Sequence, residues 1–145
     1  MRLAEPSDFP WISSCILAMH KESPTYSKFP EDWKYVPTTV KNFIVHPDMI
    51  FVVNTPRSFM VVATDTPWFA PSVLHAYELL LYVDPEFRGG MEVVRLIKFM
   101  ETMCQEHGVD SLHVGASVGL KDERTMKLYE RLGYERMTAP ARKDF

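Results

Sequence analysis

Residues 82–99 read YVDPEFRGGMEVVRLIKF. An apolar run ending at Val83 meets a short turn with Pro85 and then Arg88-Gly89-Gly90, and a helical pattern starts at once. Strand, glycine turn and helix in that order present free backbone N–H groups to an anion. The helix dipole adds partial positive charge at the turn, and Arg88 adds a full one. A pyrophosphate suits such a place. A glycine pair is also common in plain tight connections, and these residues alone leave both readings open. The turn lacks the GxGxxG dinucleotide fingerprint and the Lys-Ser/Thr of a phosphate loop, which weighs against hydride transfer and NTP hydrolysis.

Working outward, the apolar periodicity predicts a strand over residues 74–83 and a helix over 90–107, with Gly108 as its C-cap. SLHVGA (111–116) reads as the next strand, 121–132 as a helix stopped by Gly133, and 134–137 as a last strand. Upstream, residues 2–5 suit a short edge strand. Ser7 or Asp8 can cap a first helix that tolerates Pro10 in its first turn. A second helix is expected over 31–45, broken or kinked at Pro37. MIFVVN (49–54) and SFMVVAT (58–64) flank the Thr55-Pro56-Arg57 turn as a hairpin, and 65–72, with two prolines beside Trp68 and Phe69, is a loop. The order is β-α-α-β-β-β-α-β-α-β. Strands joined through a helix are normally parallel, and the strands before them can be antiparallel. The expected fold is therefore α/β: a mixed, mostly antiparallel central sheet with helices on both faces. With no repeat, low-complexity tract or linker, residues 1–145 read as one domain.

Composition bounds the function. The chain has 145 residues, 46% hydrophobic and 24% charged, an ordinary globular balance. A net charge of -3 gives no nucleic-acid footprint. No apolar stretch approaches the ~20 residues of a membrane span, and the first residues do not resemble a signal peptide. Cys15 and Cys104 fall on the apolar faces of predicted helices and outside any CxxC pair, as two buried thiols in a reducing cytoplasm would. Five scattered histidines offer no ligand spacing, so no metal is expected.

The second informative segment is DERTMKLYERLGY, residues 122–134. On a helix, Thr125, Leu128, Tyr129 and Leu132 share one face. That face serves as a core stripe, or aims the Tyr129 hydroxyl at a cleft as a proton donor; a buried tyrosine needs a partner for its hydroxyl in either case.

Together the two segments resemble the GNAT superfamily of N-acetyltransferases. The family pattern V-x-P followed by Q/R-x-x-G-x-G/A is similar to Val83-Asp84-Pro85 followed by Arg88-Gly89-Gly90-Met91-Glu92-Val93. The family's N-x-x-A-x-x-L-Y-x-x-x-G-F/Y is similar to the run carrying Asp122, Thr125, Leu128, Tyr129, Gly133 and Tyr134. LAEPSDFPWI resembles the family's opening strand and capped first helix. The element order matches over nearly the whole chain, with the specific motifs in residues 74–137. There are departures: Met91 and Val93 stand at the later glycine positions, Gly90 is left to take the sharp turn, and Asp122 stands where the family often has Asn.

The resemblance implies an acetyl coenzyme A cosubstrate and an amine acceptor. Backbone amides of Gly89, Gly90, Met91, Glu92 and Val93 would hold the pyrophosphate beside Arg88. The main chain of Leu81, Tyr82 and Val83 would pair with the pantetheine arm, with Asp122 and Thr125 nearby and Ser117 and Gly119 bordering the thiol end. This requires the fourth and fifth strands to splay, which a bulge achieves in the family. Tyr129 matches the tyrosine that donates to the departing sulfur. Glu78 is the expected base or substrate ligand, against a solvated strand glutamate. Regular alternation puts Glu78, Leu80 and Tyr82 on one face, and the family glutamate more often falls at the place of Tyr77. His75 and His113 are weaker alternatives. His20, Glu22, Tyr26 and Trp68 are expected to wall the acceptor site. Direct transfer to the amine needs no covalent enzyme intermediate, consistent with the missing signature of a nucleophile-and-base pair. A non-catalytic GNAT-fold module binding coenzyme A or a protein partner is the alternative, and the many apolar and aromatic residues would permit a homodimer.

Overall fold

Alternation sorts the central hairpin between two cores. The computed structural model describes residues 1–30, 32, 34–116 and 122–137. Strands β2 (Met49–Asn54) and β3 (Ser58–Asp65) pair antiparallel, flanked by β1 (Arg2–Leu3) on one side and β4 (His75–Val83) on the other. Strand β5 (Ser111–His113) pairs with β4 in parallel, giving the order β1-β2-β3-β4-β5. Phe51, Val53, Phe59 and Val61 point to helices α1 (Phe9–Glu22) and α2 (Tyr35–Val45), where they meet Ile12, Cys15, Met19 and Val40. Ile50, Val52, Met60 and Val62 point to the opposite face, against Leu96, Met100 and Cys104 of α3 (Glu92–Glu106). Period-two side chains on a sheet covered on both sides produce this sorting. The two cysteines are buried, free and on opposite faces of the sheet. The fold is the expected mixed α/β sheet. Among the described residues no helix is long and apolar enough to cross a membrane.

On β4 the parity flips. Ala76 packs on the α3 side, yet Leu80 and Tyr82, also even-numbered, pack on the α1/α2 side. The cause is a register shift: Val61 faces Leu80, whereas Val62 faces Glu78, leaving Leu79 as an extra residue. The expectation of one face for Glu78, Leu80 and Tyr82 is thus corrected. Glu78 stays with the Ala76 side, and the bulge turns the other two away.

Three boundaries also differ from expectation. Helix α2 starts at Tyr35, so Pro37 sits in its first turn, where an N–H has no intrahelical acceptor, and does not break it. Asp32 instead accepts from the N–H groups of Lys34 and Tyr35 at 2.9 and 3.0 Å. Strand β5 ends at His113 rather than Ala116. Residues 134–137 form no strand: Arg136 pairs with Glu130 and Glu123 and ties this segment back onto α4 (Asp122–Arg131).

The start of α3 is fixed by a buried carboxylate. Glu92, 6% exposed, accepts hydrogen bonds from Ser58 Oγ and Asn54 Nδ2, both at 2.6 Å. Burial pushes its pKa up, but these bonds and the nearby Arg57 and Arg95 outweigh that and hold it below the usual range. Its ionised form therefore stabilises the fold at pH values above the unfolded carboxylate pKa. That contribution is lost as pH falls through the lower folded value. Glu92→Ala, which strands the Ser58 and Asn54 donors, is expected to cost about 1–3 kcal/mol at pH 7. Urea denaturation should show the deficit shrinking at pH 3.

Candidate active site

Among the described residues strands β4 and β5 pair only over His75–Tyr77 and Ser111–His113. Beyond that the strands part, and the outer edge of β4 from Glu78 onward opens into a cleft of about 1100 Å³. Because the Asp84 N–H bonds Arg57 O on the β3 side, ladder alternation turns the main-chain groups of Leu81 and Val83 outward to the cleft. The end of α1, the glycine turn and α4 supply the other walls.

The turn itself adopts the left-handed conformation at Gly89, with φ +84°, and not at Gly90, where the sequence pointed. Gly89 thus performs the chain reversal that an L side chain resists. At Gly90 an added Cβ would make only ordinary contact, 3.9 Å from Phe87 O. The first-turn N–H groups of α3 lack intrahelical acceptors and point toward the turn. Gly89, Gly90 and Val93 line the cleft. Met91 is exposed, and the Glu92 side chain is turned to the hairpin.

Arg88 does not present an uncommitted charge. Its Nε donates to Val83 O at 2.8 Å, and its guanidinium grips both Glu22 oxygens, with Nη2 to Oε2 at 2.8 Å. Hydrogen bonding to Glu22 raises the arginine pKa against a smaller opposing effect of burial. This ion pair joins the end of β4 to the end of α1. Positive charge comes instead from α4, where Arg124, Lys127 and Arg131 line the cleft and no ion pair to them forms among the described residues. The Arg124 Nη2 lies 3.7 Å from where a Cβ on Gly89 would sit. These three residues escaped the sequence reading, although their i, i+3, i+7 spacing on a predicted helix marks one face.

At the floor of the cleft, Tyr129 donates its hydroxyl to Glu78 Oε2 at 2.7 Å, and the Gly115 N–H donates to the same oxygen at 3.2 Å. Burial raises the Glu78 pKa above the ordinary carboxylate value, with the bonds from Tyr129 and Gly115 partly opposing. Tyr129 is 1% exposed. Burial first, then the neighbouring Glu78 charge, raises its pKa far enough that it stays protonated at any physiological pH. The bulge at Leu79 places this pair: without the extra residue, Glu78 would share the Leu80 face.

Of the other residues singled out from sequence, His20, Glu22, Tyr26, Leu81, Tyr82, Val83, Asp122 and Thr125 line the cleft. Trp68 is not among the lining residues. It is 94% exposed in the β3–β4 loop, edge-on to Phe69. His75 and His113 lie tilted against each other, ring centroids 4.9 Å apart, on the paired part of β4 and β5, and neither is among the residues lining the cleft. Ser117 and Gly119 lie outside the described residues. Asp122 Oδ1 is buried with no hydrogen-bond partner among the described residues, an acceptor waiting for an N–H donor. A coenzyme A molecule fits this set of groups: amides and cations for its phosphates, an open strand edge and an orphan acceptor for its pantetheine amides.

A family model described as the acetyltransferase (GNAT) family matches residues 20–134. Solved structures share the fold at low identity. An acetyltransferase from Trypanosoma brucei has 16% identity and a TM-score of 0.73, covering 99% of this chain and 97% of that one. An aminoglycoside acetyltransferase from an uncultured soil metagenomic sample has 15% identity and a TM-score of 0.70, covering 98% and 95%. A ribosomal-protein-alanine N-acetyltransferase from Brucella melitensis has 14% identity and a TM-score of 0.69, covering 99% and 98%. No curated protein matches the chain by sequence.

Gly90→Asp should leave the fold intact, given the ordinary contact at its Cβ, and place a negative charge among the turn amides. We expect calorimetry to show coenzyme A affinity reduced at least ~10-fold, about 1.4 kcal/mol. Unchanged affinity in the folded variant would remove the pyrophosphate from this turn.

Proposed function

From the premise that the chain belongs to the acetyltransferase (GNAT) family, we propose that it transfers an acetyl group from acetyl coenzyme A directly to a primary amine. The observation that carries this reading is the Tyr129–Glu78 hydrogen bond, 2.7 Å long, beside the free edge of β4. When bound, acetyl coenzyme A supplies the thioester acetyl group. The amides of residues 89–93 would hold its pyrophosphate, Arg124 and Lys127 would balance its charge, and Asp122 would accept from a pantetheine N–H. Leu81 and the Val83 N–H offer the strand edge. The Val83 carbonyl already accepts from Arg88.

An amine in neutral water is protonated and must lose a proton before it attacks. Glu78 is suited to receive it: burial makes its carboxylate a stronger base than an exposed one, and the Tyr129 bond still favours the ionised form. Leu79, the extra residue of the bulge, has no partner in the β3 ladder, and its N–H is the candidate donor to the acetyl carbonyl. When Glu78 takes the amine proton, its negative charge no longer holds the Tyr129 hydrogen. The neutral carboxyl can donate to Tyr129 Oη, and the tyrosine can turn its own hydrogen toward the departing sulfur. The two residues thus carry a proton from the side where the amine attacks to the side where the thiolate leaves. The reading places this chemistry in the cytoplasm, where the two buried free thiols stay reduced, on an amine acceptor and without nucleic acid, membrane or metal.

Release of free thiol from acetyl coenzyme A across a panel of primary amines tests the proposal. Glu78→Gln should lower kcat about 100-fold or more and remove the acidic limb of the pH profile. That limb reports loss of activity as Glu78 is protonated, so it should lie above an ordinary carboxylate pKa. Tyr129→Phe leaves the buried Glu78 carboxylate with the Gly115 N–H alone among its described donors, so it should cost about 1–3 kcal/mol of stability and reduce kcat roughly 10-fold or more. It should also move the acidic limb to higher pH, because the bond that favours the Glu78 carboxylate is gone while its burial remains. Tight coenzyme A binding without thiol release for any amine would point to a non-catalytic module.

A further inference from the structure

A second, smaller cavity of about 270 Å³ opens between α2 and the sheet. Tyr35, Val36, Thr39, Val40 and Phe43 of α2 form one wall, and Phe51, Val61, Leu79 and Leu80 of the sheet face them. Among the described residues no charged side chain lines it. Three of its residues, Ile16, Leu79 and Leu80, also line the large cleft. The two spaces therefore share a wall, and that wall begins one residue after Glu78. Leu79 is 45% exposed. A leucine held open to solvent at the mouth of an apolar cavity leaves surface uncovered that a ligand can cover.

The bulge explains the juxtaposition. Glu78 faces α4 on one side of the sheet, while Leu80 faces α2 on the other. Among the described residues β5 pairs no further than His113, so past Tyr77 the outer main-chain edge of β4 has no strand partner. A group whose nitrogen reached Glu78 would meet Leu79 next along the strand, and Leu79 and Leu80 line both spaces. An apolar cavity of ~150 Å³ already accommodates benzene, so this one has room for a branched aliphatic or a phenyl group. A charged or strongly hydrated substituent would lose its water there without a partner.

We propose that this cavity is an acceptor subsite, and that the acceptor is a primary amine carrying an apolar aliphatic or aromatic substituent a short distance from its nitrogen. The proposal rests on the acetyl-transfer reading above, for it takes Glu78 as the point where the amine nitrogen arrives. A substituent in this cavity removes apolar area from water both on itself and on Leu79, which favours it over a hydroxyl or ammonium of similar length.

The test compares 2-phenylethylamine and 3-methylbutylamine with ethanolamine and 1,4-diaminobutane. Thiol release should give a kcat/KM at least 10-fold higher for the two apolar amines. Thr39→Phe fills the cavity from α2 and Val36→Asp puts a charge in it. Neither residue lines the large cleft, so coenzyme A affinity should hold in both. In whichever variant folds, the apolar preference should vanish while ethanolamine turnover is unchanged. Equal kcat/KM for all four amines, or a preference that survives a folded cavity variant, overturns the subsite and leaves acetyl transfer standing. If no amine is acetylated, titration of 2-phenylethylamine followed by NMR decides. Binding to the wild type that is lost in the variants keeps the subsite and rejects the transfer reading, and absence of binding rejects the subsite.

Discussion

One extra residue in β4 governs the site. A strand that keeps strict alternation must send Glu78, Leu80 and Tyr82 to the same face, and a sheet with helices on both faces tolerates no compromise on the aliphatic and aromatic members. Leu80 and Tyr82 pack with the α1/α2 core, and Tyr82 stacks on Phe59 at 5.3 Å. Glu78 on that face would be a carboxylate among aromatic and aliphatic side chains, which is costly without a partner. Setting Leu79 outside the ladder gives each residue its own environment: a hydroxyl donor for Glu78 and apolar neighbours for the other two. The same irregularity lies just past the last residue pair of β4 and β5, so the strand is opened and re-aimed at nearly one point.

Charge is distributed with similar economy around the glycine turn. Two nearby ionisable groups are engaged in holding the scaffold: Arg88 clamps α1 to β4 through Glu22, and Glu92 anchors α3 to the β2–β3 hairpin. An anion at the turn therefore meets main-chain N–H groups whose direction is fixed by α3, together with the side chains of Arg124 and Lys127 from α4. Main-chain donors locked by a helix need no reorganisation on binding, whereas an arginine side chain pays rotamer entropy each time it is ordered.

Much of this was legible in the sequence, for identifiable reasons. The hairpin, read as 49–54/58–64 and one residue longer in the structure, the parallel return after α3 and the glycine turn follow from periodicity and turn chemistry that act over short distances. Tyr129 and Glu78 could each be named, but not their bond, because 51 residues separate them and the bulge that joins them has no local residue signature. Position 37 misled because a proline is judged by where the helix begins, and that is set by Asp32 and the approach of the preceding loop. Trp68 drew notice by its size, yet loop residues 65–72 contain no contact that would draw it to the cleft, and its indole stands in solvent. Arg124, Lys127 and Arg131 were readable in principle; a basic stripe gains meaning only once the opposing wall is known.

The meander has a consequence for the order in which the protein opens. Strands β1 to β4 lie side by side, and β2, β3 and β4 follow each other in the chain without a crossover. The amides of residues 50–53 in β2 and 58–62 in β3 are covered from both faces by side chains that are almost wholly inaccessible. Strand β5 is attached through three residue pairs only. Local opening free energies track how much apolar contact is given up. Hydrogen exchange should therefore be slowest in β2 and β3 and faster in the two edge strands, β1 with two residue pairs and β5 with three. The edge where chemistry is proposed is thus a weakly held seam of the sheet, and parting β5 from β4 would give up only the contacts of Leu112 and its neighbour Val114 with the α3-side core.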